Sequence, residues 1–150
     1  MLRVTKLTDY ATVVLTALAA AAPDAVLSAA ELAERAGLEA TTVAKLLKPL
    51  AQAGLVASFR GAHGGYRLAR DANAISLIEI VEAMEGKLAM TECSLHADAC
   101  GLEHSCGVRA NWRRINDVVA DALRGVSLAD LVSPAPPGAR RAIPATLATA

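Results

Sequence analysis

The stretch SAAELAERAGLEATTVAKLLKPLAQAGLVASFRGAHGGYRLA, residues 28–69, carries the signals that determine the fold. Ser28 and Glu31 form a capping-box pattern that opens a short helix, and Gly37 is a typical residue to follow the end of a helix. A second helix over about 41–53, which Gly54 ends, places apolar residues at helical spacing, namely Val43, Leu46, Leu47 and Leu50. Two short helices joined by a turn that contains glycine indicate a helix-turn-helix.

The residues after these helices predict a β-hairpin. Residues 55–60 are typical of a strand, the glycine-rich segment 61–65 of a tight turn, and residues 66–69 of a returning strand. A helix-turn-helix followed by a two-stranded hairpin is a winged helix, a mainly α fold that binds DNA. The start of the helix before the hairpin enters the major groove in this fold, and the wing reaches the minor groove. We therefore predict DNA contacts from Thr41, Thr42 and Lys45 on the helix and from Arg60 and Arg67 in the wing.

Further helices are predicted on both sides of this unit. Downstream, Ser76 and Glu79 form another capping box, and Gly86 ends the helix that it opens. Within the unit, Pro49 predicts a kink or a loose end in the helix that contains it. Upstream, a first helix is predicted over residues 8–22, with Thr8 as its cap and an inner face of Tyr10, Val13, Val14, Ala17, Leu18 and Ala21.

All three cysteines fall in one segment, TECSLHADACGLEHSCG at residues 91–107. Cys93, Cys100 and Cys106 are an odd number of thiols, so internal disulfides would leave one over. Thiolates favour zinc, copper(I) and iron–sulfur clusters, and three thiolates need one further donor to complete a four-ligand site. The spacing does not match a C-x-x-C knuckle. We favour an iron–sulfur cluster, with zinc, redox-active thiols and ordinary packed cysteines as the alternatives.

A long amphipathic helix is predicted after the cysteines. Its apolar residues are Val108, Trp112, Ile115, Val118, Val119 and Ala122. A winged-helix core leaves such a helix little to cover, so we predict that it forms a dimer interface; packing against its own domain is the alternative. A short helix over 127–132 follows, and the proline-rich segment 133–150 is predicted to be disordered.

Composition and charge limit the class of protein. The 150 residues include no run of 18 apolar ones and carry a formal net charge of zero. The charge is segregated, because five basic and no acidic residues lie between Lys45 and Arg70, which makes that segment a candidate phosphate-binding surface. No phosphate loop or catalytic triad is recognisable, so we expect a non-enzyme. Clustered reduced cysteines without a signal peptide predict a cytoplasmic protein without membrane contact.

Four segments of the chain resemble the Rrf2-type family of bacterial winged-helix iron–sulfur regulators. They are LTDYATVVL near the start, AGLVASFRGAHGGYRLAR through the wing, ISLIEIVEAMEG in the helix after it, and the three-cysteine loop. The resemblance covers roughly residues 1–132. The N-terminal sequence MLRVTKLTDYATVVL is most similar to the branch that regulates SUF iron–sulfur cluster assembly.

The resemblance implies a winged-helix DNA-binding domain over 1–86, a cluster-binding loop over 87–107 and a dimerisation helix with a short C-terminal helix over 108–132. It also implies a homodimeric repressor that binds a pseudo-palindromic operator. Cys93, Cys100 and Cys106 would hold one iron–sulfur cluster per subunit, with two or four irons.

Members of the family differ in the fourth ligand. In the IscR-like pattern a histidine stands three residues after the last cysteine, where this chain has Arg109. In the NsrR-like pattern an aspartate early in the first helix reaches the cluster of the partner subunit, and Asp9 matches that position. His96 and His104 are alternatives, because imidazole replaces thiolate on iron in some clusters; otherwise both are exposed loop residues.

The resemblance also implies a mechanism. The loop has little apolar surface, so a bound cluster would supply its order. Cluster loading would then fix the dimer and its two DNA-binding helices, and loss of the cluster would change operator affinity. Alternative functions are a nitric oxide or redox sensor of the same family, or a small iron–sulfur or zinc protein with no regulatory role.

Overall fold

The computed structural model describes residues 3–95, 100–102 and 104–133. The described chain is mainly helical, with one two-stranded antiparallel sheet. In chain order its elements are α1 (Lys6–Ala19), α2 (Ala29–Ala36), α3 (Ala40–Gln52), β1 (Val56–Phe59), β2 (Gly65–Leu68), a 3-10 turn (Ala72–Ala74), α4 (Leu77–Glu85), α5 (Glu92–Leu95), α6 (Arg109–Arg124) and α7 (Leu128–Val132). No helix among these residues is both long enough and apolar enough to cross a membrane.

The helix-turn-helix forms as its capping signals predict. The Ser28 backbone N–H donates to the Glu31 carboxylate at 2.7 Å, and the Glu31 N–H donates back to the Ser28 hydroxyl at 3.2 Å. Gly37 follows α2 with φ of 65°, a left-handed conformation that favours glycine. The turn therefore directs α3 away from α2 at a defined point, and the two helices pack on each other.

The inner face of α3 is confirmed by the structure. Val43, Leu46, Leu47 and Leu50 are all buried in the central core. Pro49 does not end the helix, which continues to Gln52 with the Pro49 carbonyl accepting from the Ala53 N–H at 3.0 Å. A proline at this point removes only one backbone hydrogen bond, close to the C-terminal end, where the packing of Leu50 holds the last turn in place.

The wing is a β-hairpin that is fastened to the rest of the fold. Val56 pairs with Leu68 and Phe59 with Gly65, in antiparallel register. Beyond the predicted hairpin, Leu27 and Tyr66 form an isolated antiparallel bridge, with N–H···O distances of 2.9 and 2.7 Å. A Cβ at Gly65 would lie 2.4 Å from the Leu27 carbonyl oxygen, so this close approach requires glycine.

The start of the first helix differs from the prediction. Thr5, not Thr8, is the N-cap, because its hydroxyl accepts from the Thr8 N–H at 3.3 Å. Thr8 instead lies inside the helix and is buried. Most of the predicted inner face is confirmed: Val14 and Leu18 are buried, and the half-buried residues packed against the core include Tyr10, Ala17 and Ala21. Val13 is 36% exposed, whereas Ala11 and Leu15, which were not predicted, are buried.

The C-terminal helix α7 packs into the same core as the winged helix. Leu128 is fully buried and belongs to the central cluster, and α7 packs on α1. Backbone bonds of 2.8 Å from Leu128 N to Ile75 O and from Leu77 N to Val126 O join the segment to the start of α4. The segment predicted to be disordered, 133–150, lies outside the described residues except for Ser133.

Candidate functional site

The outer face of α3 presents a row of polar residues to solvent. Thr41 and Lys45 are exposed near the N-terminal end of the helix, and Thr42 is half-buried beside them. Lys48 is also exposed and, at the spacing 41, 45, 48, lies on the same face. Lys48 was not among the predicted DNA contacts, although this spacing indicates that it belongs with Lys45. The surface carries two lysines opposite the buried leucines, as a helix that enters a DNA groove requires.

The two wing arginines are held differently. Arg60 is exposed directly after β1, where the turn Gly61–Gly64 begins. Arg67, on β2, donates to the Asp24 carboxylate at 3.2 Å, and its guanidinium lies over the Phe59 ring at 4.9 Å from the centroid. Arg60 is therefore presented at the tip of the wing, whereas Arg67 is restrained at its side.

A third basic residue of this segment, Arg70, is exposed but forms hydrogen bonds within the protein. Arg70 donates to Glu79 at 2.6 Å and to the Ala74 carbonyl at 3.0 Å, so it ties the end of the wing to α4. The basic segment predicted from charge alone thus contains both exposed cations and structural ones.

The three cysteines are half-buried free thiols in the segment between α4 and α6. Cys93 lies on α5, a four-residue helix that was not predicted, and its sulfur is 3.2 Å from the Thr91 hydroxyl. The Thr91 hydroxyl is also 3.0 Å from that of Ser94. Among the residues described, no three His, Cys, Asp or Glu side chains come together as a metal site. His96 lies outside the described residues, and His104 is exposed.

The base of this loop is fastened from two sides. The Leu88 N–H donates to the Glu82 carboxylate of α4 at 3.1 Å, and the Met90 N–H donates to the Asn116 side-chain oxygen of α6 at 3.0 Å. These two bonds fix residues 86–90 between the helices on either side of the cysteines. No local pattern in the sequence indicated them, because each joins a loop amide to a side chain of another element.

Asp9 lies beside the base of the loop, on the wall of a groove of about 500 Å³. The groove lies between α1, α4, the loop base and α6, and its lining includes Asp9, Thr12, Lys87, Met90, Val119 and Leu123. Asp9 is exposed, and its carboxylate is therefore open to a ligand or to another subunit.

Glu85 joins α1 to the end of α4 at the edge of the same groove. Its Oε1 accepts from the buried Thr8 hydroxyl and from the Thr5 N–H, the latter at 2.7 Å. These hydrogen bonds, that from Thr8 above all, hold the pKa of the Glu85 carboxyl below its ordinary value. No local sequence pattern predicts this contact, because it links residues far apart in the chain.

The apolar face of α6 divides into two parts. Ala120 is buried and Val119 and Leu123 line the groove, so one side of the helix packs on its own protomer. The adjacent side leaves an apolar stripe in solvent, in which Trp112 is 39%, Ile115 43% and Val118 38% exposed. Packing on its own domain, the alternative interpretation, is therefore confirmed for one side of α6. A dimer interface stays a prediction for the exposed stripe.

The donor set suits an iron–sulfur cluster. Three half-buried thiols in one loop are soft donors of the kind that a cluster takes, and the exposed Asp9 carboxylate is a candidate fourth donor. Arg109 occupies the position three residues after the last cysteine, so this chain has no histidine ligand there.

Comparison with known proteins places the chain among transcriptional regulators. The sequence profile described as "Rrf2: Iron-dependent Transcriptional regulator" matches residues 4–134. Protein aau3 of Rhizobium meliloti (strain 1021) is 36% identical over 90% of this chain and 88% of its own length. The HTH-type transcriptional regulator IscR of Vibrio vulnificus (strain YJ016) is 35% identical over 69% of this chain and 61% of its own length. The chain therefore matches less than two thirds of that IscR.

Solved structures agree with the assignment of the fold. CymR (YrzC), the global cysteine regulator of B. subtilis, is 30% identical with a TM-score of 0.68, over 88% of this chain and 97% of its own. The IscR of T. potens is 28% identical with a TM-score of 0.66, over 94% and 93% of the two chains. These relatives are named as regulators, in agreement with the expectation of a non-enzyme and with the predicted mainly α winged-helix fold.

Proposed function

Because the chain belongs to the Rrf2 family of iron-dependent transcriptional regulators, we propose that it is a DNA-binding repressor whose operator affinity is controlled by an iron–sulfur cluster. The observation that carries the proposal is the combination of an intact winged helix with three half-buried free thiols beside α6. The named IscR relatives support it.

The DNA-binding part of the proposal rests on the exposed face of α3 and the wing. Thr41, Thr42 and Lys45 meet base edges in the major groove, where hydroxyls and ammonium groups discriminate bases. Arg60, at the wing tip, enters the minor groove, whose negative potential attracts an arginine. Arg67 contacts the phosphate backbone once DNA competes with Asp24 for its guanidinium.

The cluster part assigns Cys93, Cys100 and Cys106 as ligands, with Asp9 of the partner subunit as the fourth. A bound cluster, with two or four irons, supplies redox- and nitric oxide-sensitive iron at this loop. The loop base is joined to α4 through Glu82 and to α6 through Asn116, so that ordering of the cysteine segment acts on both helices.

The homodimer part rests on the exposed stripe of α6. A tryptophan, an isoleucine and a valine side by side in solvent are an unfavourable surface for an isolated protomer, and a second copy of the same stripe covers them by two-fold symmetry. Two DNA-binding surfaces then face a pseudo-palindromic operator. The resemblance of the N-terminus supports SUF cluster-assembly genes as targets, and the clustered reduced cysteines support a cytoplasmic location.

The proposal is tested by anaerobic purification of the protein and of three variants, Cys93→Ala, Cys100→Ala and Cys106→Ala. We expect the parent to be brown, with visible absorption and equal iron and sulfide. Each variant should lose most of this absorption, because a thiolate ligand is missing. Ser105→Ala is the matched control, since it changes a side chain of similar size in the same loop. A colourless parent with stoichiometric zinc would refute the iron–sulfur assignment.

A further inference from the structure

Thr8 is a polar residue buried in the described core. Its hydroxyl makes a different kind of hydrogen bond from the other threonine hydroxyls of α1. The hydroxyls of Thr12 and Thr16 donate within the helix, to the carbonyls of Asp9 at 2.6 Å and Val13 at 2.8 Å. The Thr8 hydroxyl instead donates to Glu85, and it lies 3.1 Å from the hydroxyl of the N-cap Thr5. A buried hydroxyl requires a hydrogen-bond partner. The Thr12 and Thr16 bonds show that backbone carbonyls of α1 can serve as acceptors, so burial alone does not explain the bond to Glu85.

Both ends of this contact lie next to features of the proposed cluster site. Thr8 precedes Asp9 in the chain. Glu85 is the last residue of α4, and Gly86, with φ of 87°, turns the chain from it into the loop base. The Thr5 N–H donates to the same carboxylate oxygen, so the contact fixes the first turn of α1 at two points. The position of Asp9 is thus tied to the base of its own subunit's cysteine loop.

We infer that Thr8 and Glu85 are positioning residues that couple the two cluster sites of the dimer. This inference rests on the proposed function, in which Asp9 serves the cluster of the partner subunit. The loop base of one subunit holds the α1 whose Asp9 completes the other site. Ordering one loop therefore places the fourth ligand of its partner, and the two sites load together.

The test counts clusters per dimer by native mass spectrometry, after reconstitution of the apoprotein with iron and sulfide to half saturation. Independent sites would leave about half of the dimers singly loaded, whereas tenfold coupling lowers that fraction to about a quarter. We expect the lower fraction for the parent protein. Thr8→Val and Glu85→Ala should raise it to the independent value, and Glu85→Gln, which keeps an acceptor oxygen, should give an intermediate one.

Thr16→Val is the matched control, because it removes a hydroxyl of the same helix whose bond stays within α1. It should leave the distribution unchanged. Hydrogen exchange of the apoprotein provides a readout that needs no cluster: amides of residues 3–9 should exchange about tenfold faster in Glu85→Ala, because a hydrogen bond to a charged group is lost.

The outcomes separate the inference from the proposed function. Absence of any cluster overturns both. Clusters that load independently in the parent protein would contradict the inference, and so would coupling that persists in both Thr8→Val and Glu85→Ala. Neither result would contradict the proposed function as an iron–sulfur regulator. Because Glu85 is exposed, Glu85→Ala keeps the core and answers the question even if Thr8→Val does not fold.

Discussion

Truncation of the exposed stripe on α6 should weaken the dimer without unfolding the protomer. Ile115 is the perturbation of choice, because 43% of it is exposed on the protomer and it does not belong to the described hydrophobic core cluster. Full burial of an isoleucine stabilises by about 1.5–3 kcal/mol, so covering the exposed part contributes about 1 kcal/mol per subunit. A two-fold interface contains Ile115 from both subunits, so this free energy is contributed twice. Ile115→Ala should therefore raise the dissociation constant of the dimer about 30-fold, which corresponds to about 2 kcal/mol.

Sedimentation velocity over a range of protein concentrations measures this constant directly. Asp117→Ala is the control, since Asp117 is exposed two residues from Ile115, on the opposite side of α6, and it should leave association unchanged. The far-UV circular dichroism of Ile115→Ala should match the parent, because alanine favours helix and offsets the partial packing that is lost. If Ile115→Ala associates as tightly as the parent, the stripe is not the dimer interface.

Two further predictions concern DNA. Lys45→Ala should change the preference among half-site sequences. Lys48 lies further from the N-terminal end of α3, so Lys48→Ala should lower the affinity for specific and scrambled duplexes alike and reduce its salt dependence. Equal losses of affinity for both duplexes in Lys45→Ala would show that this part of α3 does not read base edges. Asp24→Asn should strengthen binding to all duplexes a few-fold, because it removes a negative charge and releases Arg67 for phosphate while asparagine still tolerates the left-handed backbone at φ of 64°. Fluorescence anisotropy at two salt concentrations measures both, and unchanged affinity in Asp24→Asn would show that Arg67 makes no phosphate contact.

Local signals in the sequence predicted most of the fold. The capping boxes at Ser28 and Ser76 and the glycine after α2 act over three or four residues, so they can be recognised without knowledge of the rest of the chain. Helical spacing likewise predicted the buried face of α3. The hairpin followed from its glycine-rich turn.

Features that depend on distant residues could not be predicted in the same way. Thr8 was expected to cap the first helix, but the cap is Thr5. The Thr8 hydroxyl instead donates a hydrogen bond to Glu85, 77 residues later in the chain. Periodicity identified the apolar face of α6, yet it did not indicate which part packs on the protomer, because that depends on where α4 lies. The single bridge between Leu27 and Tyr66 is too short to leave a strand pattern.

The bridge between Leu27 and Tyr66 limits the movements that the proposed regulator can make. The wing is joined by two backbone hydrogen bonds to the segment that enters α2, and at Gly65 there is no room even for a methyl group. Hairpin and α3 must therefore travel as one rigid piece, and neither can swing away from DNA independently of the other. In the proposed dimer, what remains adjustable is the distance and rotation between the two such pieces. The change in operator affinity on gain or loss of the cluster should then depend on the number of base pairs between the half-sites. It should depend less on the half-site sequences themselves.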